Sequence, residues 1–193
     1  MNYNGLIIYS GFNEPLLNKN IYQNVKQTRS YLTDCKIEII TNGDVLNKKR
    51  LLKLFENGLN TILISAYDSA EDAKRLRDLC LSCNLKENVQ FLVRHRYLPE
   101  DQDFGITLSN RAGMLKNSEF KIMPTKKPVD RPCYYPGYMF FIDYNGDVLM
   151  CSHDWGKEQV IGNLNNESIR DIWLSNKMQK YRKLLLNGKR NIS

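Results

Sequence analysis

Four short apolar runs alternate with helical patterns over the first 95 residues, and this alternation restricts the possible folds more than anything else in the chain. Leu6 to Tyr9, Lys36 to Thr41, Thr61 to Ser65 and Val89 to Val93 read as strands, rich in Ile, Leu and Val and closed by polar or turn residues. Between them, Asn18 can cap a helix that buries Ile21, Val25 and Leu32, with Tyr22 and Tyr31 alongside. A second helix buries Leu51, Leu52, Leu54 and Phe55 and stops at Asn57-Gly58. A third opens at the capping-box pattern Ser69-Ala70-Glu71-Asp72 and runs to Cys83. Strands buried on both sides and joined through helices predict an α/β class with a parallel sheet or barrel. In such folds ligands bind beyond the carboxyl ends of the strands. That singles out Gly11 to Pro15, Thr41-Asn42-Gly43, Ser65 and Arg94.

From Leu98 the rhythm weakens. Phe104 to Leu108 and Phe120 to Met123 read as short strands, but Pro99, Pro124, Pro128 and Pro132 with Lys126-Lys127 mark loops. The expected organisation is therefore a first domain over 1–125 and a smaller one over 126–193. In the second, Asn145-Gly146 between Met139–Tyr144 and Asp147–Cys151 predicts a hairpin with a two-residue turn. That turn would set Tyr144 opposite Asp147, Ile142 opposite Leu149 and Phe140 opposite Cys151. Pro136-Gly137 lets the chain double back, so that Cys133 approaches Cys151. Converging thiols serve as a disulfide, a zinc site or an iron–sulfur site. Further on, Ser168 to Asp171 forms a second capping box, and Ile169, Ile172, Trp173, Met178, Tyr181 and Leu185 line one broad helical face.

Composition narrows the class. No apolar run approaches the ~18 residues of a membrane helix, and no basic segment precedes the first apolar run as in a secretory signal. A cytoplasmic protein without a membrane partner is expected. The net charge of +7 is spread in small basic groups among acids, with no nucleic-acid module, so it reads as solvated surface. Five cysteines, an odd number, argue against a closed disulfide framework. Cys80 and Cys83 share a helical face with Ala73, Leu76 and Leu79 and read as packing, as does Cys35. His95 and His153 read as loop histidines, and Trp155 and Trp173 as core of the smaller domain.

The spacing of Cys133, Gly146 and Cys151, followed by Ile161-Gly162-Asn163-Leu164 and the helix opening at Asn165 to Trp173, resembles the SPASM domain. The resemblance implies that Cys133 and Cys151 ligate an auxiliary 4Fe-4S cluster. Upstream, Ser10-Gly11-Phe12-Asn13-Glu14-Pro15 resembles the GGEP motif that binds the amino group of S-adenosylmethionine (SAM) in radical SAM enzymes, with Asn13 in place of the second glycine. The order of the two motifs is that of radical SAM/SPASM proteins. By this resemblance Gly11, Asn13, Glu14, Thr41, Asn42, Ser65 and Arg94 are cofactor-binding candidates, and Asn110 to Gly113 resembles a loop seen in some members. The implied protein is a partial (β/α) barrel with a SPASM-like domain. It binds SAM and 4Fe-4S clusters, receives electrons from a donor, and acts by hydrogen-atom abstraction, commonly on a peptide or protein. The family's CxxxCxxC motif has no match in these residues, nor does the CxxC expected beyond Asn187. A fragment that is inactive alone is therefore expected. Two other readings stay open: a non-catalytic cluster or zinc module, and a metal-free α/β domain whose cysteines pack.

Overall fold

Each apolar run of the first 95 residues forms a strand. The computed structural model describes residues 3–97, 116, 118, 123, 129 and 131–190, and the chain divides into two units, 1–107 and 108–193. In the first unit β1 (Leu6–Tyr9), β2 (Lys36–Thr41), β3 (Thr61–Ala66) and β4 (Phe91–His95) pair in parallel in sequential order. They are joined by α1 (Ile21–Tyr31), α2 (Lys48–Glu56) and α3 (Ala70–Ser82). Alternation along each strand decides what is buried. Ile37, Ile39, Ile62, Ile64 and Phe91 pack against Val25, Leu51, Leu54, Leu76 and Cys80 in one core. On the opposite face of the sheet lie Leu6, Ile8, Glu38, Leu63, Ser65, Leu92 and Arg94; Leu6, Ile8 and Leu92 are exposed.

Two of the helix starts follow from their caps: Asn47 Oδ1 accepts from Arg50 N at 2.9 Å and Ser69 Oγ from Asp72 N at 3.2 Å. The start of α1 differs from expectation. Asn18 lies outside that helix and shapes the turn before it, its side chain accepting from Asn20 N and its carbonyl from Ile21 N. The last strand also starts later than its apolar run, because the Lys86 carbonyl takes the N–H groups of Val89, Gln90 and Phe91 in a turn that leaves Val89 exposed. Arg29 closes the far side of the unit, donating to the carbonyls of Leu32, Thr33, Cys35 and Gly58 and to Asn60 Oδ1.

The second unit holds an antiparallel sheet of β5 (Phe141–Ile142), β6 (Asp147–Leu149) and β7 (Val160–Asn163), with α4 (Ile169–Leu174) and α5 (Asn176–Leu186). Its hairpin corrects the expected register by one residue. Ile142 faces Val148 and Phe141 faces Leu149, because the loop is Tyr144-Asn145-Gly146 and not the pair Asn145-Gly146. Gly146 N donates to the Asp143 carbonyl and Asp143 N to the Asp147 carbonyl. Gly146 alone takes positive φ, at 88°, as in a three-residue loop that ends in a glycine bulge. The broad helical face after Ser168 is likewise two helices. Ser175, extended at ψ 148°, breaks the run and its Oγ accepts from Met178 N to start α5. Val148, Ile161, Ile172 and Met178 form the core, with Trp173 packed against it. Trp155, expected in that core, is 48% exposed.

Phe104 to Leu108, nearly all of Phe120 to Met123, Asn110 to Gly113 and the expected domain junction lie outside the described residues. No helix among the described residues is long and apolar enough to cross a membrane. Gly43 tests the packing beyond β2: it has φ +83°, and a Cβ there would sit 2.7 Å from Leu76 Cδ2 and 2.9 Å from Ile64 Cγ2. Gly43→Ala is expected to cost about 1–3 kcal/mol, read from the midpoint of urea unfolding.

Candidate functional site

At the carboxyl end of the parallel sheet one carboxylate joins two loops. Glu14 follows β1 and opens a short 3-10 turn at Pro15–Leu17. Its Oε1 accepts from Leu16 N at 2.9 Å and from Thr41 Oγ1 at 2.7 Å, and its Oε2 from Asn42 N at 2.9 Å. Thr41, buried, passes the connection on by accepting from Gly43 N at 3.0 Å. An ionised carboxylate has about four lone-pair sites. Three are taken here. Gly11, at φ 120°, turns the chain out of β1 and Asn13 is exposed in the same loop. Asn42 commits its side chain to its own turn, giving Nδ2 to Asp44 Oδ2 and accepting from Asp44 N.

Ser65 and Arg94 belong to a different face. They lie side by side in register on β3 and β4, on the side of the sheet facing away from α1, α2 and α3, where Ser65 is buried and Arg94 exposed. Partial burial lowers the Arg94 pKa, Arg96 lowers it further, and Glu38 opposes the shift. Glu38 was missed by sequence reasoning. It sits among isoleucines in β2 and accepts from Thr61 Oγ1 at 3.2 Å; a lone carboxylate in a strand otherwise apolar was the available signal. The candidates thus form two groups, Gly11, Asn13, Glu14, Thr41 and Asn42 at the loop ends and Ser65 with Arg94 on the face away from the three helices.

In the second unit Cys133 and Cys151 are both unpaired and half-buried. Cys133 is held through its backbone, its N–H donating to the Leu185 carbonyl at 2.9 Å. Cys151 follows β6 and starts a loop shaped by Asp154, whose N–H donates to the Cys151 carbonyl and whose buried carboxylate accepts from Glu158 N and Gln159 N. Lys157, at φ 53°, returns that loop to the hairpin through its bond to Asp143. Burial raises the Cys151 pKa; the N–H of His153, 3.4 Å from Sγ, opposes this, while the nearby Cys133 raises it further. His153 Nδ1 lies 3.9 Å from Cys151 Sγ. Among the described residues no three His, Cys, Asp or Glu side chains converge on a metal position. The donor set fits half of a four-thiolate cluster, through Cys133 and Cys151.

Cys80 and Cys83 lie at the end of α3, Cys80 within the core and Cys83 partly buried against it. Cys80 is fully buried in the core of the first unit, and burial pushes its thiol up to about 12. The sign of the pH effect follows: an unfolded thiol ionises near ~8.5, so above that range the folded state holds more protons and stability falls as pH rises towards about 12. Urea unfolding at about pH 7 and about pH 10 is expected to show this loss, and Cys80→Ala to remove much of it. Glu14→Gln replaces one acceptor oxygen by a donor facing N–H or O–H groups. It should destabilise by about 1–3 kcal/mol in the same assay.

Comparisons with known proteins agree with this arrangement. Residues 133–192 match the SPASM family, described as an iron–sulfur cluster-binding domain. All 193 residues align at 31% identity with 72% of the S-adenosyl-L-methionine-dependent 2-deoxy-scyllo-inosamine dehydrogenase of Niallia circulans. Among solved structures, BtrN in complex with AdoMet and 2-DOIA superposes with a TM-score of 0.77 at 27% identity, covering 98% of this chain and 70% of that one. BtrN in an open conformation gives a TM-score of 0.67 at 26% identity, covering 98% and 68%. With its SPASM match at Cys133 and whole-length similarity to a SAM-dependent dehydrogenase, the chain belongs to the radical SAM/SPASM family.

Proposed function

We propose that these residues form the SAM-binding wall and the auxiliary-cluster half-site of a radical SAM oxidoreductase acting on an alcohol of the 2-deoxy-scyllo-inosamine kind. The observation that carries this reading is the alignment of the whole chain with a SAM-dependent dehydrogenase of that substrate. That similarity favours a small polar substrate over the peptide or protein expected from the family at large. The four parallel strands are read as part of a (β/α) barrel, with the face bearing Glu38, Ser65 and Arg94 turned towards its interior. SAM, held by Glu14 and its neighbours, would supply on one-electron reductive cleavage a carbon radical able to take one hydrogen atom from the alcohol carbon. A cluster held by Cys133 and Cys151 would accept the second electron as the hydroxyl proton leaves.

The chain's own residues bind and orient. Glu14, fixed by three donors, offers its remaining lone pair to the SAM ammonium. Gly11 and Asn13 shape the loop around it, Thr41 and Asn42 hold it from the next strand, and Ser65 offers a hydroxyl beside Arg94. Glu38 and Arg94 present opposite charges for a substrate bearing amine and hydroxyl groups. Cys133 and Cys151 would supply two thiolates to an auxiliary 4Fe-4S cluster. Free cysteines and an electron donor suit a reducing cytoplasm.

No CxxxCxxC occurs among these residues, so we expect the 193-residue chain to form no 5′-deoxyadenosine from SAM. Joined to a segment bearing that motif and reconstituted anaerobically, it is expected to release 5′-deoxyadenosine and to oxidise 2-deoxy-scyllo-inosamine. Glu14→Ala should abolish both. Retention of zinc in place of iron after anaerobic reconstitution, or oxidation of a peptide with no turnover of the amino alcohol, would overturn the reading.

A further inference from the structure

Cys133 and Cys151 stand on different elements, and what fixes their separation is not a bond between them. Cys133 belongs to an arm running to Pro136, and Cys151 to the end of the hairpin. The arm is fastened to α5 at two points. Cys133 N donates to the Leu185 carbonyl at 2.9 Å, and the Pro136 carbonyl accepts from Arg182 Nε at 2.7 Å. The attachment points are three residues apart on the helix and three apart on the arm, so the arm is held in register against a rigid element. The same guanidinium gives Nη1 to the Trp173 carbonyl at 2.8 Å and lies over the Trp173 ring at 3.8 Å. The Phe140 ring, which leads into β5, stacks on that indole with centroids 5.0 Å apart. Arm, helix and hairpin therefore meet at one planar group.

We infer that Arg182 is a positioning residue for the Cys133–Cys151 thiol pair: it sets the arm bearing Cys133 against the hairpin bearing Cys151. A guanidinium suits the task because it is flat enough to stack on an indole while its edge serves two carbonyls at fixed angles. An ammonium has no such plane. The arrangement also has a cost, since Arg182 Nη2 is buried and makes no hydrogen bond among the described residues. An apolar side chain would fill the space without that cost, but it would release the Pro136 carbonyl and the arm with it. The inference rests on the proposed pairing of the two thiols, and it is separable from it.

Phenylarsine oxide, a trivalent arsenical that requires two thiols within reach of one arsenic atom, reads the pair without iron. The metal-free chain carrying Cys83→Ser, which removes the thiol beside Cys80, is titrated in parallel with variants. It is expected to bind one equivalent, and Cys133→Ser or Cys151→Ser to abolish binding. Arg182→Met should weaken binding about tenfold or more, through loss of effective concentration between the thiols. Arg182→Lys should fall between, while thermal unfolding reports stability separately. Arg182 would prove merely structural if Arg182→Met lowered the unfolding midpoint yet bound the arsenical within about twofold of the parent. Should Arg182→Met fail to fold, Arg182→Lys carries the same comparison, and unchanged affinity there overturns the inference. Absence of Cys133- and Cys151-dependent binding in the parent would remove the pairing itself, a failure distinct from that of Arg182.

Discussion

Parallel strands in sequential order must be joined by crossovers, and right-handed crossovers repeated in one direction place every connecting helix on the same side of the sheet. The first unit follows from that constraint. The helices cover Ile37, Ile39, Ile62 and Ile64, and the other face keeps a mixture that a doubly covered sheet would not tolerate. Leu6, Ile8 and Leu92 stand there with Glu38 and Arg94. The charge in the middle of β2 is partly buried and accepts a hydrogen bond from Thr61 Oγ1 on the neighbouring strand. Parallel strands also deliver the chain each time to the same carboxyl end of the sheet, where the loops after β1 and β2 collect.

At that end, order comes from polar contacts more than from packing. Glu14 reaches across to the end of β2, so the loop carrying Gly11 and Asn13 moves with Thr41 and Asn42. A carboxylate held by three donors is preorganised for a further cation, because no side chain has to be ordered when a ligand arrives. The second unit uses a related device on a smaller core. Asp154, Lys157 and Asp143 shape the loop beyond Cys151, and a helix carbonyl fixes the backbone of Cys133. Among the described residues a cluster of Val148, Ile161, Ile172 and Met178 anchors that unit, so short polar loops carry much of its definition.

Strands, helices and the strand-end loops were legible because they depend on local signals: apolar period, capping side chains, and the glycines at 11, 43 and 58. The cysteines at 133 and 151 were legible from spacing. Other features were not. The hairpin register depended on whether Asn145 takes positive φ, and Asn-Gly is compatible with either loop length; the side chain of Asn145 instead accepts from Asp147 N. The break at Ser175 was hidden because apolar residues of α4 and α5 continue a single helical period across it. Strand β7 was missed, since Val160 to Asn163 includes a glycine and becomes a strand through pairing with β6. Arg182 and Glu38 gave no local sign of their partners, which lie 46 and 23 residues away in the chain.

The three-residue loop at Tyr144 to Gly146 bears on how sequences of this kind can diverge. Side chains alternate across a strand with period two, so adding or deleting one loop residue would turn Val148 out of the core to the opposite face. The register shift already present between Val148 and Leu149 against β7 leaves little slack to absorb another. Length changes in this turn should therefore survive in pairs, or together with a compensating bulge downstream. The distance from Gly146 to Cys151 then works as a ruler, and substitutions within it should be tolerated more readily than insertions.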